Sequence, residues 1–117
     1  MDKNQFVDAI VAAVYRVSIA GVTRLLRQPP GRRPREDLVA LSEWYNQLPA
    51  QDRSRVHDVI RLSVDQSVFG FLSALDGVRT LGEDVELRSS TGHVLSADHD
   101  LHDLFRELAD QENGHDV

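Results

Sequence analysis

Two histidines three residues apart, His99 and His102, stand among Asp98, Asp100 and Asp103. Imidazoles at helical spacing with a carboxylate beside them are the donor types a divalent metal takes. The metalloprotease pattern His-Glu-x-x-His is absent. An aspartate-rich first turn is also what the positive end of a helix dipole favours. The cluster therefore reads as a solvated helix start, with no metal and no cofactor. His57, His93 and His115 are scattered. No serine sits in a Gly-x-Ser-x-Gly elbow, and neither a Gly-x-x-x-x-Gly-Lys-Ser/Thr nor a Gly-x-Gly-x-x-Gly phosphate loop occurs. Carboxylates abound, but abundance on an acidic surface is not a catalytic dyad. The residues supply no catalytic set, and the chain is expected to bind rather than to catalyse.

The charges give the binding reading its direction. Residues 1–82 carry 11 Lys+Arg and 9 Asp+Glu, whereas residues 83–117 carry 2 and 10. The acidic third repels nucleic acid and attracts basic partners. Its candidate partner-binding residues are Glu83, Asp84, Glu86, Asp98, Asp100 and Asp103. Basic side chains cluster once, at Arg24, Arg27, Arg32, Arg33 and Arg35. Such a loop is able to grip phosphates, but no aromatic interleaves with it for base stacking. Nucleic acid is thus the alternative partner and a protein the first.

These side chains need a frame, and the hydrophobic pattern predicts a mainly α one: four helices with a long central third, plus a small β-hairpin before the last. The chain is expected to form one globular domain over residues 1–117. A helix over Asn4–Arg27 follows from Val7, Ile10, Val11, Val14, Val17, Val22 and Leu25 at 3–4 spacing, and Pro29-Pro30-Gly31 stops it. A second helix starts after Pro34, with Leu38, Leu41, Tyr45 and Leu48 inward and Trp44 beside them. Pro49 ends it.

The third helix, Ala50–Leu75, has one apolar face at Val56, Ile60, Val64, Phe71 and Leu75. A second runs through Val59, Leu62, Val68, Phe69 and Leu72, so the helix is expected to be packed on both sides. Ser63, Ser67, Gly70 and Ala74 form a small-residue stripe open to close approach by another helix. Arg61 and Asp65 are spaced to pair on this helix, and Gly77 is its stop. Over residues 83–96 the period changes to two, which predicts the hairpin around Ser-Ser-Thr-Gly. A last helix over Asp98–Gln111, capped by Ser96 or Asp98, turns Leu101, Leu104, Phe105 and Leu108 inward. Residues after Glu112 are expected to fray.

The apolar stretch Ala9–Val22 is broken by Arg16, is short for a bilayer and lacks a basic start, so it reads as a helix of the mature fold rather than a membrane or signal segment. The chain has no cysteine, which fits a reducing cytoplasm.

Three motifs carry a resemblance: Trp44-Tyr45-x-x-Leu48, Val68-x-x-Phe71-Leu72-x-x-Leu75-Asp76-Gly77-Val78-Arg79, and Leu101-His102-Asp103-Leu104-Phe105. Together they resemble a group of small bacterial proteins that includes immunity proteins of contact-dependent growth-inhibition systems. The resemblance covers about half of the chain and nothing before Trp44. It implies a small cytoplasmic protein that neutralises a protein toxin, and it transfers no binding residue.

Overall fold

The computed structural model describes residues 1–114, and His115 lies outside them. Four helices carry the described chain. They are α1 (Lys3–Arg27), α2 (Glu36–Gln47), α3 (Ala50–Leu75) and α4 (Leu101–Glu112). The chain forms two compact units. One comprises Met1–Tyr15 and Asp65 onward, and the other comprises Arg16–Val64.

The first unit holds most of the core. Val7, Val11 and Tyr15 of α1, Leu72 of α3, Leu95, and Leu101, Phe105 and Ala109 of α4 are all buried. Tyr15 meets Phe105 edge to face, with ring centroids 5.6 Å apart, an arrangement that adds to the burial of both rings. The Tyr15 hydroxyl is satisfied by Asn113, whose Nδ2 donates to it at 2.7 Å. A capping box fixes the start of α1. Asp2 accepts the Gln5 N–H at 2.8 Å and the Gln5 side chain accepts the Asp2 N–H at 3.0 Å.

Tyr15, not the expected Val14, faces this core. The reason is a π-helical segment, Val11–Tyr15, inside α1. It inserts an extra residue per turn, so the buried series runs 7, 11, 15 and the positions after it change phase. Val14 and Val17 are turned out to solvent.

In the second unit Thr23, Ser42, Tyr45 and Ile60 are buried. The last carbonyl of α1, on Arg27, would be an orphan after Pro29 and Pro30 remove two donors. It is capped from α2 by Asn46 Nδ2 at 3.1 Å and by Ser42 Oγ at 3.4 Å. Pro34 lies just outside α2, whose N-cap is Arg35. Trp44 of this helix is half exposed.

Several sequence expectations are corrected. The third helix is covered only in part on each face: Ile60 of the first and Leu72 of the second are buried, whereas Val59 and Leu62 are open and Phe71 is 68% exposed. The small-residue stripe was expected to admit a neighbouring helix at close range. Gly70 is covered instead by Arg79, whose Nη1 lies 2.5 Å from where a Cβ would stand, and the Ser63 hydroxyl donates to the Val59 carbonyl at 2.8 Å. The arginine thus supplies the packing reason for a helix-interior glycine.

The hairpin is also absent. Residues 83–96 hold no strand, only one antiparallel bridge between Arg88 and Val94. Leu95 N–H donates to the Leu87 carbonyl at 2.8 Å, but the Leu87 N–H that would return the bond goes to Ser96 Oγ at 2.8 Å. A side chain has taken the next rung of the ladder. Leu95 is buried, but Val85 is exposed, so the buried face does not extend far enough to hold a longer pair.

The helix Lys3–Arg27 contains an 18-residue window of mean hydropathy 1.6, long and apolar enough by length and composition to cross a bilayer. That is a longer stretch than the Ala9–Val22 segment measured from the sequence. Val7, Val11 and Tyr15 within it are nevertheless core residues of the first unit.

Candidate functional site

The first unit builds a site where α3 ends and α4 begins. Gly77, at φ +81°, closes α3 with paired turns. Val78 N–H donates to the Ser73 carbonyl at 2.9 Å and Gly77 N–H to that of Ala74 at 3.1 Å. This stop leaves Asp76, immediately before it, only 3% exposed.

The Asp76 carboxylate then acts on a segment 26 residues away. Its Oδ2 accepts the His102 backbone N–H at 2.8 Å and a bond from His102 Nδ1 at 2.5 Å. It is therefore the cap of α4 and the anion at that helix's positive end. Neither Ser96 nor Asp98 takes that part. Ser96 serves Leu87, and the residue at the cap position, Asp100, makes no side-chain cap bond.

His99, in the left-handed region at φ 55°, donates from Nδ1 to the Asp76 carbonyl at 2.9 Å. Both acceptors are oxygens, so each imidazole carries its proton on Nδ1. The two histidines, expected to stand in a solvated helix start, are instead fasteners of one aspartate. Among the described residues no three His, Asp or Glu side chains gather as a metal-binding group.

A second polar contact lies further along the same helices. Arg106 Nη1 meets Asp65 Oδ2 at 2.7 Å, and its guanidinium lies 4.7 Å over the Phe69 ring. Phe69 in turn meets His102 edge to face, with centroids 5.5 Å apart. Asp65 therefore does not pair with Arg61. Arg61 bonds Asp58 at 3.2 Å and approaches His57 Nδ1 at 3.3 Å. Asp65, Phe69 and Asp76 share one side of α3, and that spacing was the only trace in the sequence of what they do.

Beside Asp76 opens a cleft of about 830 Å³, lined by Leu75, Asp84, Val85, Glu86, Val94 and His99 among others. The six acidic candidates fall into separate roles around it. Asp84 and Glu86 line it, whereas Glu83 lies at its edge in a smaller hollow with Arg79 and Leu81. Glu86 bonds Arg88 Nε at 2.6 Å. Glu83 and Asp84 have no ion-pair partner among the described residues.

Asp98 and Asp100 are instead gripped by Lys3 Nζ at 2.8 and 2.7 Å. Asp103 is exposed, 3.5 Å from His102 Nε2. The acidic face is therefore not one open surface: half of it is partly neutralised.

The Lys3 pairs have a measurable sign. Hydrogen bonds to Asp100 and then Asp98 hold the Lys3 ammonium above its ordinary 10.5. The bond from Lys3 holds the Asp98 carboxyl below 3.8. The lysine's share of stability is full below pH 10.5 and lost as pH rises through the raised value. The aspartate's share is present above pH 3.8 and lost as pH falls through the lowered one. Lys3→Met is expected to make stability less steep in pH below 3.8, as followed by acid titration of the helical circular-dichroism signal.

The arginine cluster lies in the second unit. Arg24, Arg27, Arg32 and Arg33 are exposed and have no carboxylate partner among the described residues. Arg35 is held by Asp37 at 2.5 Å, and this guanidinium keeps the Asp37 carboxyl below its usual value. No family model, no curated protein and no solved structure matches the chain.

Proposed function

We propose that this protein works by binding a basic protein, as an immunity or antitoxin-type inhibitor that covers a toxin domain, with the cleft side of the first unit as the docking face. The observation that carries the reading is the separation of charge. Residues 16–64 hold 9 Arg and 5 Asp+Glu, whereas the rest of the chain holds 4 Lys+Arg and 14 Asp+Glu. Within that acidic remainder, the unpaired Glu83 and Asp84 stand beside exposed Val78, Leu81 and Val85. Apolar contact ringed by one sign of charge suits a protein partner and speeds its encounter. Nucleases among such toxins carry cationic clefts that an anionic surface occludes. The inhibitor itself needs no catalytic group and acts from the cytoplasm.

Reversing Glu83, Asp84 and Glu86 to lysine is expected to slow association with a cognate toxin domain by about tenfold or more at low salt. It should also flatten the salt dependence of that rate. An unchanged association rate would sink the reading.

The four unpaired arginines of the second unit favour one other function, regulatory binding of nucleic acid through phosphates. Salt-sensitive retardation of duplex DNA or RNA in a gel-shift titration is its signature. Under that reading, alanine at Arg32 and Arg33 should abolish the retardation.

A further inference from the structure

We propose that the stretch of α1 from Arg16 to Arg27 and the loop after it lie on the surface of an anionic lipid bilayer. Val17 and Ala20 enter the headgroup boundary, while Arg24, Arg27, Arg32 and Arg33 meet lipid phosphates. The proposal goes beyond the inhibitor reading and uses the other unit of the chain.

The sequence sets this segment apart. Residues 9–35 contain six arginines, at 16, 24, 27, 32, 33 and 35, and neither aspartate nor glutamate, in a chain of net charge −6. The five acids of the second unit, Glu36, Asp37, Glu43, Asp52 and Asp58, all follow it.

The apolar residues of the segment are not used up in a core. Only 22% of the most apolar 18-residue window of α1 is buried, whereas a core helix of that composition is mostly covered. Val17 is 59% exposed, and Ala20 is exposed too. Val17, Ala20, Arg24 and Arg27 follow one another at steps of three, four and three, so they line one side of the helix. Arg24, Arg27, Arg32 and Arg33 are exposed and have no carboxylate partner among the described residues.

Apolar and cationic side chains on one side of a helix are what an anionic membrane surface takes. A nucleic acid would use the arginines but has no place for Val17 and Ala20, so their joint exposure favours lipid. As the apolar groups sink, the arginines reach the phosphates along their methylene stems. Screening over about 8 Å at physiological salt lets this local charge act although the whole chain is anionic. The helix lies on the bilayer and does not cross it, because Val7, Val11 and Tyr15 are core residues.

The test is flotation of the full chain with vesicles of phosphatidylcholine alone, and of phosphatidylcholine with about one-third phosphatidylglycerol. The chain is expected to float with the anionic vesicles and not with the neutral ones. About 1 M salt, which shortens the Debye length to about 3 Å, should release it. Arg32→Ala combined with Arg33→Ala, in an exposed loop, should weaken partitioning about 25-fold, at about fivefold per arginine. Val17→Gln, with the helical circular-dichroism signal unchanged, should weaken it about fivefold.

Flotation with both kinds of vesicle alike, or with neither, would overturn the proposal. Retention of the chain in high salt would show a span and overturn it as well. Unaltered partitioning of Val17→Gln would leave a purely ionic contact and refute the embedded face. Without flotation, a gel shift of duplex DNA lost in the arginine pair would give this surface to nucleic acid. Self-association lost in the same pair, again without flotation, would give it to a second copy of the chain. No toxin enters these measurements, so this proposal and the inhibitor reading fail separately.

Discussion

Phe105→Ala is expected to lower folding stability by about 3–5 kcal/mol, read as a shift of the urea midpoint at constant slope. Phe105 is fully buried, and its ring is the partner of Tyr15 across the core of the first unit. Truncation removes the apolar area of the ring, the edge-to-face contact and the support of a tyrosine whose hydroxyl is anchored by Asn113. Small domains have only about 5–15 kcal/mol of stability to lose, so this one change takes a large share. Phe105→Leu, which keeps most of the volume, should lose about 1 kcal/mol. Equal losses in the two variants would show that the site collapses without a cavity and that the ring itself is not what holds α1 to α4.

Asp76→Ala is the second large effect, about 2–4 kcal/mol, and it differs in kind. It leaves the apolar core intact. What goes is the acceptor for the His102 N–H and for His102 Nδ1, together with the negative charge at the start of α4. The loss should concentrate locally, so hydrogen exchange at His102 and the next residues of α4 should accelerate more than exchange in the middle of α1. Asp76→Asn keeps one acceptor oxygen and is expected to lose less than alanine. A variant as stable as the parent, with α4 exchange unchanged, would remove Asp76 from the cap.

The helices were legible because their limits are written locally. Pro49 and the Gly77 stop bracket an uninterrupted apolar pattern, and α3 runs over the residues that pattern marks, Ala50–Leu75. Pro29-Pro30-Gly31 likewise ends α1 at Arg27. Leu101 and Phe105 point inward as their spacing requires.

What was not legible depends on distant partners. Nothing near Asp76 announces that it caps a helix 26 residues on. Asp65 has a well-spaced Arg61 on its own helix, yet bonds Arg106, because a buried carboxylate needs a donor that arrives from the packed side. Tyr15 replaces Val14 in the core because one extra residue in a helical turn moves every later position, and hydrophobic periodicity assumes a constant turn. Val85 and Leu87 alternate with charge as a strand does, but one serine hydroxyl captures a rung and the ladder stops.

Lys3 is the only lysine in the sequence, so its grip on Asp98 and Asp100 occupies every ε-amine the protein owns. An amine held as a paired ammonium has no lone pair to offer an electrophile. Acylating reagents will therefore reach this side chain only when the corner has let go. The acylation rate at Lys3 thus clocks those openings with a single reporter. An acetyl or isopeptide-linked mark has the same one side-chain address, and writing it there cuts the tether between residue 3 and residues 98–100.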